Sequence, residues 1–484
     1  MIKEIDDSLA LHTDLYEINM MYTYWQQGLA QRRAVFEYYF RSLPFDNGYA
    51  IFAGLQHLIM YLQHLHFTTS DLTYLKNSEN YDPAFLDYLR DFHFTCTVRA
   101  VPEGSVVFNN EPLIQIEGPI IQGQLIETAL LNIVNYQTLI ATKAARMRTA
   151  AKDDLLLEFG SRRAHELDAA LWGTRAAYIG GFNATSNVRA GKLFGIPTTG
   201  THAHALVEAY RSDYQAFKAY AQSHYQCIFL IDTYDILHSG LPAAIRVAKE
   251  MGNKIQFAGV RIDSGDLAYL AKQVRVALDA AGFTKTKIYA SGDLDENIIE
   301  NLKLQKAPID AWGVGTRLIT AYEQPALGGV YKLVAIADEC DHLIDTIKLS
   351  NTTAKVTTPA KKQVWRIINH KTGKSEGDYI TLWNDDPRHQ DAIYMFDPDY
   401  TYMNKTVIDF EALPLLRSIY EHGKLVYQQP DLITIRNYRR QQLAVLWDEY
   451  KRNLNPQIYP VDFSKELWCR KMNYINYIHH HFEQ

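Results

Sequence analysis

Residues 257–266 read FAGVRIDSGD and residues 287–296 read KIYASGDLDE, each a short apolar run that stops at a cluster of glycine and acidic residues. The same grammar recurs at 154–163 (DLLLEFGSRR), 176–187 (AAYIGGFNATSN), 195–204 (GIPTTGTHAH), 228–235 (IFLIDTYD) and 310–316 (DAWGVGT). Helical spacing of apolar residues fills several of the intervals, as in LPAAIRVAKEMG at 241–252 and LAYLAKQVRVALDAAGF at 267–283. Strand and helix units repeating every roughly 20 to 30 residues build a β/α barrel, whose parallel strands deliver their C-terminal residues to one rim. The fold class expected is therefore α/β, with a barrel over residues 146–335 and its polar strand ends facing one mouth.

The flanks differ from this core. Residues 1–145 look mixed α+β, with helical LYEINMMYTYWQQG (15–28), strand-like AVFEYYF (34–40) and a long helical run from Leu125 to Lys152. Residues 336–484 read as strands followed by aromatic-rich helices at 431–453 and 465–481, the latter ending in His479, His480 and His481, a solvated helix end rather than a metal site. At 484 residues and 47% hydrophobic the chain can bury a large core. Its 49 basic against 55 acidic residues exclude the basic surplus of a non-specific nucleic-acid binder, so any anion site has to be local. Four scattered cysteines without a CxxC pair suggest neither a zinc knuckle nor a disulfide framework. An acidic start (Lys3, Glu4, Asp6, Asp7) and no apolar run of membrane-spanning length predict a cytoplasmic protein with no membrane partner.

Chemistry concentrates at the strand ends. Phe159 is followed by Gly160, Arg162 and Arg163, an order that suits an aromatic ring under a planar ligand beside an anionic one. Alone, these would read as a core phenylalanine and surface arginines. Arg261, Asp263 and Asp266 crowd one strand end: the aspartates suit ribose hydroxyls or a magnesium ion, the arginine a carboxylate or phosphate, and Asp266 also suits a helix N-cap. Ser291-Gly292-Asp293 and Gly313-Val314-Gly315-Thr316 are turns whose exposed N–H groups suit a phosphate. His202 and His204 follow a Gly-Thr turn, and on an extended strand they would point the same way, a catalytic or phosphate-accepting role suiting them better than metal binding.

Taken in order, LHTDLYEINMMYTYWQQG (11–28), FEYYFRSLP (36–44), EFGSRRAHE (158–166), GGFNATSNVRAGKLFGIP (180–197), GTHAH (200–204), GVRIDSGDL (259–267), GVGT (313–316), PALGGVYKL (325–333) and TTPAKKQVWRI (357–367) resemble the nicotinate phosphoribosyltransferase family. The resemblance implies an irregular, incomplete β/α barrel with an N-terminal mixed domain, strands after 336 that complete that domain, and a homodimer with shared active sites. It also implies magnesium and the substrates nicotinate, phosphoribosyl pyrophosphate and ATP. Tyr16 of a second copy and Phe159 would sandwich the pyridine ring, with Arg261 at its carboxylate and Arg162 and Arg41 at pyrophosphate. Asp263 and Asp232 would hold ribose and magnesium; Gly292, Asp293, Gly315 and Thr316 would surround the 5′-phosphate; His204 would become phosphohistidine. Lys332, Lys348 and Lys361 resemble pyrophosphate- and ATP-facing positions.

Ser161, Ala184, His202 and Ala360 depart from the family pattern, Ala360 standing where a Pro-Gly turn is usual. Ser186 occupies the position that is aspartate in relatives using nicotinamide, and an aspartate there would repel a carboxylate substrate. The alternatives are therefore a nicotinamide-using enzyme and a barrel kept for ligand sensing without catalysis.

Overall fold

The computed structural model describes residues 8–352 and 355–482, so the acidic start at residues 3–7 lies outside the described residues. The chain forms two compact units, one of residues 140–325 and the other of the segments on either side of it.

In the unit of residues 140–325, six parallel strands form one sheet: β1 (Leu155–Glu158), β2 (Ala184–Thr185), β3 (Gln226–Leu230), β4 (Gln256–Ile262), β5 (Lys287–Ser291) and β6 (Ala311–Val314). Their spatial order is β2-β1-β6-β5-β4-β3, a cyclic permutation of chain order with no ladder between β2 and β3. This is a barrel opened at one seam. Because every ladder is parallel, Phe159, Ser186, Asp232, Asp263, Gly292 and Gly315 all follow their strands at the same end of the sheet. Alternation along β1 sets Leu155, Leu157 and Phe159 on one face, where they pack with Ala184, Tyr289 and Ala311, and turns Glu158 to the other.

Helices close the connections for local reasons. Asp266 caps Leu267–Ala280 by accepting the Tyr269 N–H at 3.0 Å, and Ala268, Ala271, Val274 and Leu278 give that helix its buried stripe. Asp295 does the same for Glu296–Leu304. Pro242 stands in the first turn of Leu241–Met251, where its missing N–H costs nothing. The segment 200–204 departs from the extended strand expected of it. His204 is the first residue of the helix His204–Tyr210, and Thr198 makes only a single bridge to Thr185.

The other unit carries a seven-stranded antiparallel sheet, in the order Leu343–Asp345, Gly329–Ala337, Arg33–Phe40, Ile114–Pro119, Thr97–Ala100, Arg417–Glu421, Lys424–Leu425. The strand Gly329–Ala337 spans the boundary drawn at residue 335 and belongs by its ladder to this sheet, paired from Ala34↔Ile336 to Phe40↔Gly329. A six-stranded sheet built from residues after 361 packs Trp365, Ile367, Tyr379, Ile393 and Met395 into its own core. The helix read over 431–453 spans only Leu432–Ala444, because Lys374 Nζ takes the Ala444 and Leu446 carbonyls that a further turn would use. His479, His480 and His481 end the helix Lys465–Phe482 on its exposed side. Among the described residues no helix is long and apolar enough to cross a membrane.

Candidate active site

Six strand ends of one parallel sheet carry the polar residues, and their local bonds distinguish those that are free to meet a ligand from those already used. Phe159 donates its N–H to the Val314 carbonyl at 2.8 Å, which ties the end of β1 to that of β6. Its half-buried ring lies against Gly313: a Cβ there would stand 2.6 Å from the ring, so only glycine lets the phenyl lie flat on β6. Gly292 has φ +98°, and any Cβ would collide with the Asp263 carbonyl, so the turns after β4 and β5 touch backbone to backbone. Arg162, in the turn Ser161–Arg163, is exposed, as are Ser186, Gly292 and Asp293. Gly315 and Thr316 are half-buried at the start of the short helix Thr316–Ile319.

The two aspartates interlock. Asp232 Oδ2 accepts the Asp263 N–H at 3.1 Å and the Ser264 hydroxyl at 2.7 Å, and the Ser291 hydroxyl donates to Asp263 Oδ1. Asp232 Oδ1 is buried with no hydrogen-bond partner. Arg261 donates from Nη1 to the Thr201 hydroxyl at 2.9 Å and from Nη2 to the His202 carbonyl at 3.3 Å, while its Nε is buried without a partner. It makes no salt bridge among the described residues. Burial lowers its affinity for the proton, opposed by the nearby charges of Asp263 and Asp232.

The two histidines separate clearly. His202 is buried among Phe217, Tyr220 and Phe229, and its Nε2 accepts the Leu230 N–H at 3.2 Å. Burial pushes its pKa down to about 4, so the ring is neutral and serves as an acceptor. His204 is half-buried, with Nδ1 3.1 Å from the Thr233 hydroxyl. The expectation that both imidazoles emerge on one side is thus replaced by one anchored ring and one accessible ring.

The remaining expected residues belong to the other unit. Tyr16 is 47% exposed in the first turn of the helix Leu15–Gln26 and donates to Glu17 Oε1 at 3.2 Å. Glu17 is buried, and desolvation raises its pKa to about 7. Arg41 follows the strand Arg33–Phe40, its Nε buried and unpartnered. Lys332 donates to the Tyr331 carbonyl and lies 3.9 Å from Glu127, and Lys348 is exposed. Lys361 is already engaged, 2.7 Å from Glu117 and 4.4 Å from the centre of the Trp383 ring. Ala360 holds φ +72°, a backbone that the usual glycine would adopt without strain, and its carbonyl accepts from the buried Lys362 Nζ at 2.6 Å.

Comparison with known proteins follows the same geography. The nicotinate phosphoribosyltransferase (NAPRTase) N-terminal domain matches residues 11–135, the NAPRTase family model residues 155–362, and the nicotinate phosphoribosyltransferase C-terminal domain residues 361–471. This chain belongs to the nicotinate phosphoribosyltransferase family. It is 57% identical over 479 residues to the nicotinate phosphoribosyltransferase of Bacillus subtilis, covering 99% of this chain and 98% of the relative. It is 42% identical over 443 residues to one from Mycobacterium tuberculosis, covering 91% and 88%. Its fold is similar to the crystal structure of human nicotinic acid phosphoribosyltransferase, with a TM-score of 0.85 and 30% identity over 95% of this chain and 99% of that one.

Within this nicotinate phosphoribosyltransferase frame, Glu158, Thr185 and Thr201 bind the strand ends together, yet the motifs they stand in do not single them out. Glu158 stands in the quoted EFGSRR motif but reads there as a strand residue, and Thr201 reads as a turn. The available signal was an acidic residue in a strand otherwise made of leucine, which is costly to bury without a purpose.

Proposed function

We propose that the chain transfers the phosphoribosyl group of phosphoribosyl pyrophosphate to nicotinate, giving nicotinate mononucleotide and pyrophosphate, with the reaction coupled to hydrolysis of ATP. The observation that carries the choice of base is Arg261, a half-buried residue whose guanidinium is held by Thr201 and His202 with no carboxylate paired to it among the described residues. A ligand carboxylate completes it. Ser186, uncharged at the end of β2, leaves that carboxylate unopposed.

Bond exchange at the anomeric carbon passes through a cation-like ribose, so alignment and electrostatic stabilisation do most of the catalytic work. Phe159 supports the pyridine ring, Asp263 and Asp232 fix the ribose, and Arg162 and Arg41 stabilise the departing pyrophosphate. The turns at Gly292-Asp293 and Gly315-Thr316 receive the 5′-phosphate. Asp232 and Asp263 would hold a magnesium ion, since one oxygen of the Asp232 carboxylate is buried and unsatisfied. When bound, it neutralises pyrophosphate charge. His204 accepts the γ-phosphoryl group of ATP, a role that suits the accessible ring rather than the anchored one, and hydrolysis of the phosphohistidine drives the cycle. Tyr16 of a second copy closes the base site in a homodimer.

The test compares kcat/KM for nicotinate and nicotinamide with phosphoribosyl pyrophosphate, ATP and magnesium present. Nicotinate should be preferred by about a hundredfold or more, and Ser186→Asp should erode that preference, since a like-charge contact costs several kcal/mol. Equal use of the two bases, or preference for the amide, would overturn the assignment. No release of pyrophosphate with either base would favour a sensor.

A further inference from the structure

Glu158 is the last residue of β1, is 1% exposed, and points to the face of the sheet opposite Phe159. Its Oε1 accepts the Gly160 N–H, and its Oε2 accepts the hydroxyls of Thr185 at 2.5 Å and Thr174 at 2.9 Å. Its backbone carbonyl accepts the Ser186 N–H at 2.9 Å. No cation pairs with it among the described residues. Burial raises its pKa, and the donors from Thr185, Gly160 and Thr174 oppose that rise. A carboxyl so placed is expensive unless every lone pair is used.

The bonds meet at two functional turns. Gly160 follows Phe159 in the turn that leads to Arg162, and Thr185 precedes Ser186. The Thr185 hydroxyl donates to Glu158 and accepts the Asn187 N–H at 2.9 Å, and Asn187 in turn caps the helix Val188–Phe194 through the Ala190 N–H at 3.1 Å. Thr174 has a second acceptor, the Ala170 carbonyl at 2.8 Å, so it can dispense with Glu158. Among the described residues Thr185 and Gly160 have no other acceptor in contact.

We propose that Glu158 is the positioning residue of the base site, acting from behind the sheet to hold the Phe159 turn and the Ser186 turn in one fixed geometry. It rests on the reading that Phe159 and Ser186 flank nicotinate, and it adds a specificity determinant that never touches the base. A glutamine at 158 offers one accepting oxygen where the carboxylate offers two, and turns an NH₂ toward a donor. One turn then loses its anchor while the strand keeps its shape.

Steady-state kinetics of Glu158→Gln, Thr185→Val and Thr185→Ser test this, with thermal melting to establish folding. Glu158→Gln and Thr185→Val should each raise KM for nicotinate about tenfold or more, since small misplacements at a reacting centre are costly. KM for phosphoribosyl pyrophosphate should change little, and discrimination against nicotinamide should narrow. Thr185→Ser, which keeps the hydroxyl, should restore wild-type values. Combining Glu158→Gln with Thr185→Val should add little to either alone. An unchanged nicotinate KM, an equal rise in both KM values, or a Thr185→Ser defect matching Thr185→Val would overturn the proposal. Wild-type turnover of nicotinate is the separate control, because its failure would remove the functional reading and not the linkage.

Discussion

His202 and His204 carry the same side chain two residues apart, and their surroundings give them opposite chemistry. His202 accepts a backbone N–H inside an aromatic cluster and stays neutral, whereas His204 opens a helix with part of its ring accessible. Incubation with γ-labelled ATP should therefore give an acid-labile, base-stable label on wild type and on His202→Leu, and none on His204→Ala. His202→Leu should melt lower, because the buried Leu230 N–H loses its acceptor at a cost of about 1–3 kcal/mol. Label that vanished in His202→Leu and persisted in His204→Ala would move the phosphoryl acceptor. His204→Ala should keep some ATP-independent transfer, as the residues proposed to hold ribose and pyrophosphate stay in place.

The elements place the site by close backbone approach as much as by side chains. Glycines after β5 and within β6 are required for different reasons, and substitution should separate them. Gly313→Ala puts a methyl under the Phe159 ring, a side chain that can tilt, so nicotinate KM should rise with a small change in melting temperature. Gly292→Ala meets both a left-handed φ and the Asp263 carbonyl, neither of which can yield cheaply, and should cost about 1–3 kcal/mol of stability and weaken binding of both substrates. Similar melting temperatures and kinetics for the two variants would contradict this account of the strand ends.

At the scale of the whole molecule, residues far apart in the chain share tasks. Tyr16 is exposed in one unit and Phe159 and Arg261 lie in the other, and in the proposed homodimer one copy would supply Tyr16 to the Phe159 and Arg261 of its partner. Tyr16→Ala and Asp263→Ala subunits, each inactive alone, should recover activity when exchanged into hybrids, since one of the two sites is then intact. Hybrids that stay inactive although both parents fold and exchange would rule out a shared site.

The sequence by itself determined the parallel strand and helix units and the chemistry of their ends, because hydrophobic period and turn residues are local and each motif lies within one strand-to-helix connection. It also marked Phe159, Arg261, Asp263 and Gly292, whose types are costly or unusual where they stand. Only the tertiary structure decided that the barrel opens between β2 and β3 and that Gly329–Ala337 pairs with Arg33–Phe40. The same holds for the engagement of Lys361 with Glu117 and for the anchoring of His202. Those outcomes depend on partners from 28 to about 300 residues away, and a lysine or histidine carries no local mark of which distant group will claim it. Glu158 shows the same limit most plainly: its three donors come from a turn, a helix and a neighbouring strand, and they converge only when the sheet has formed.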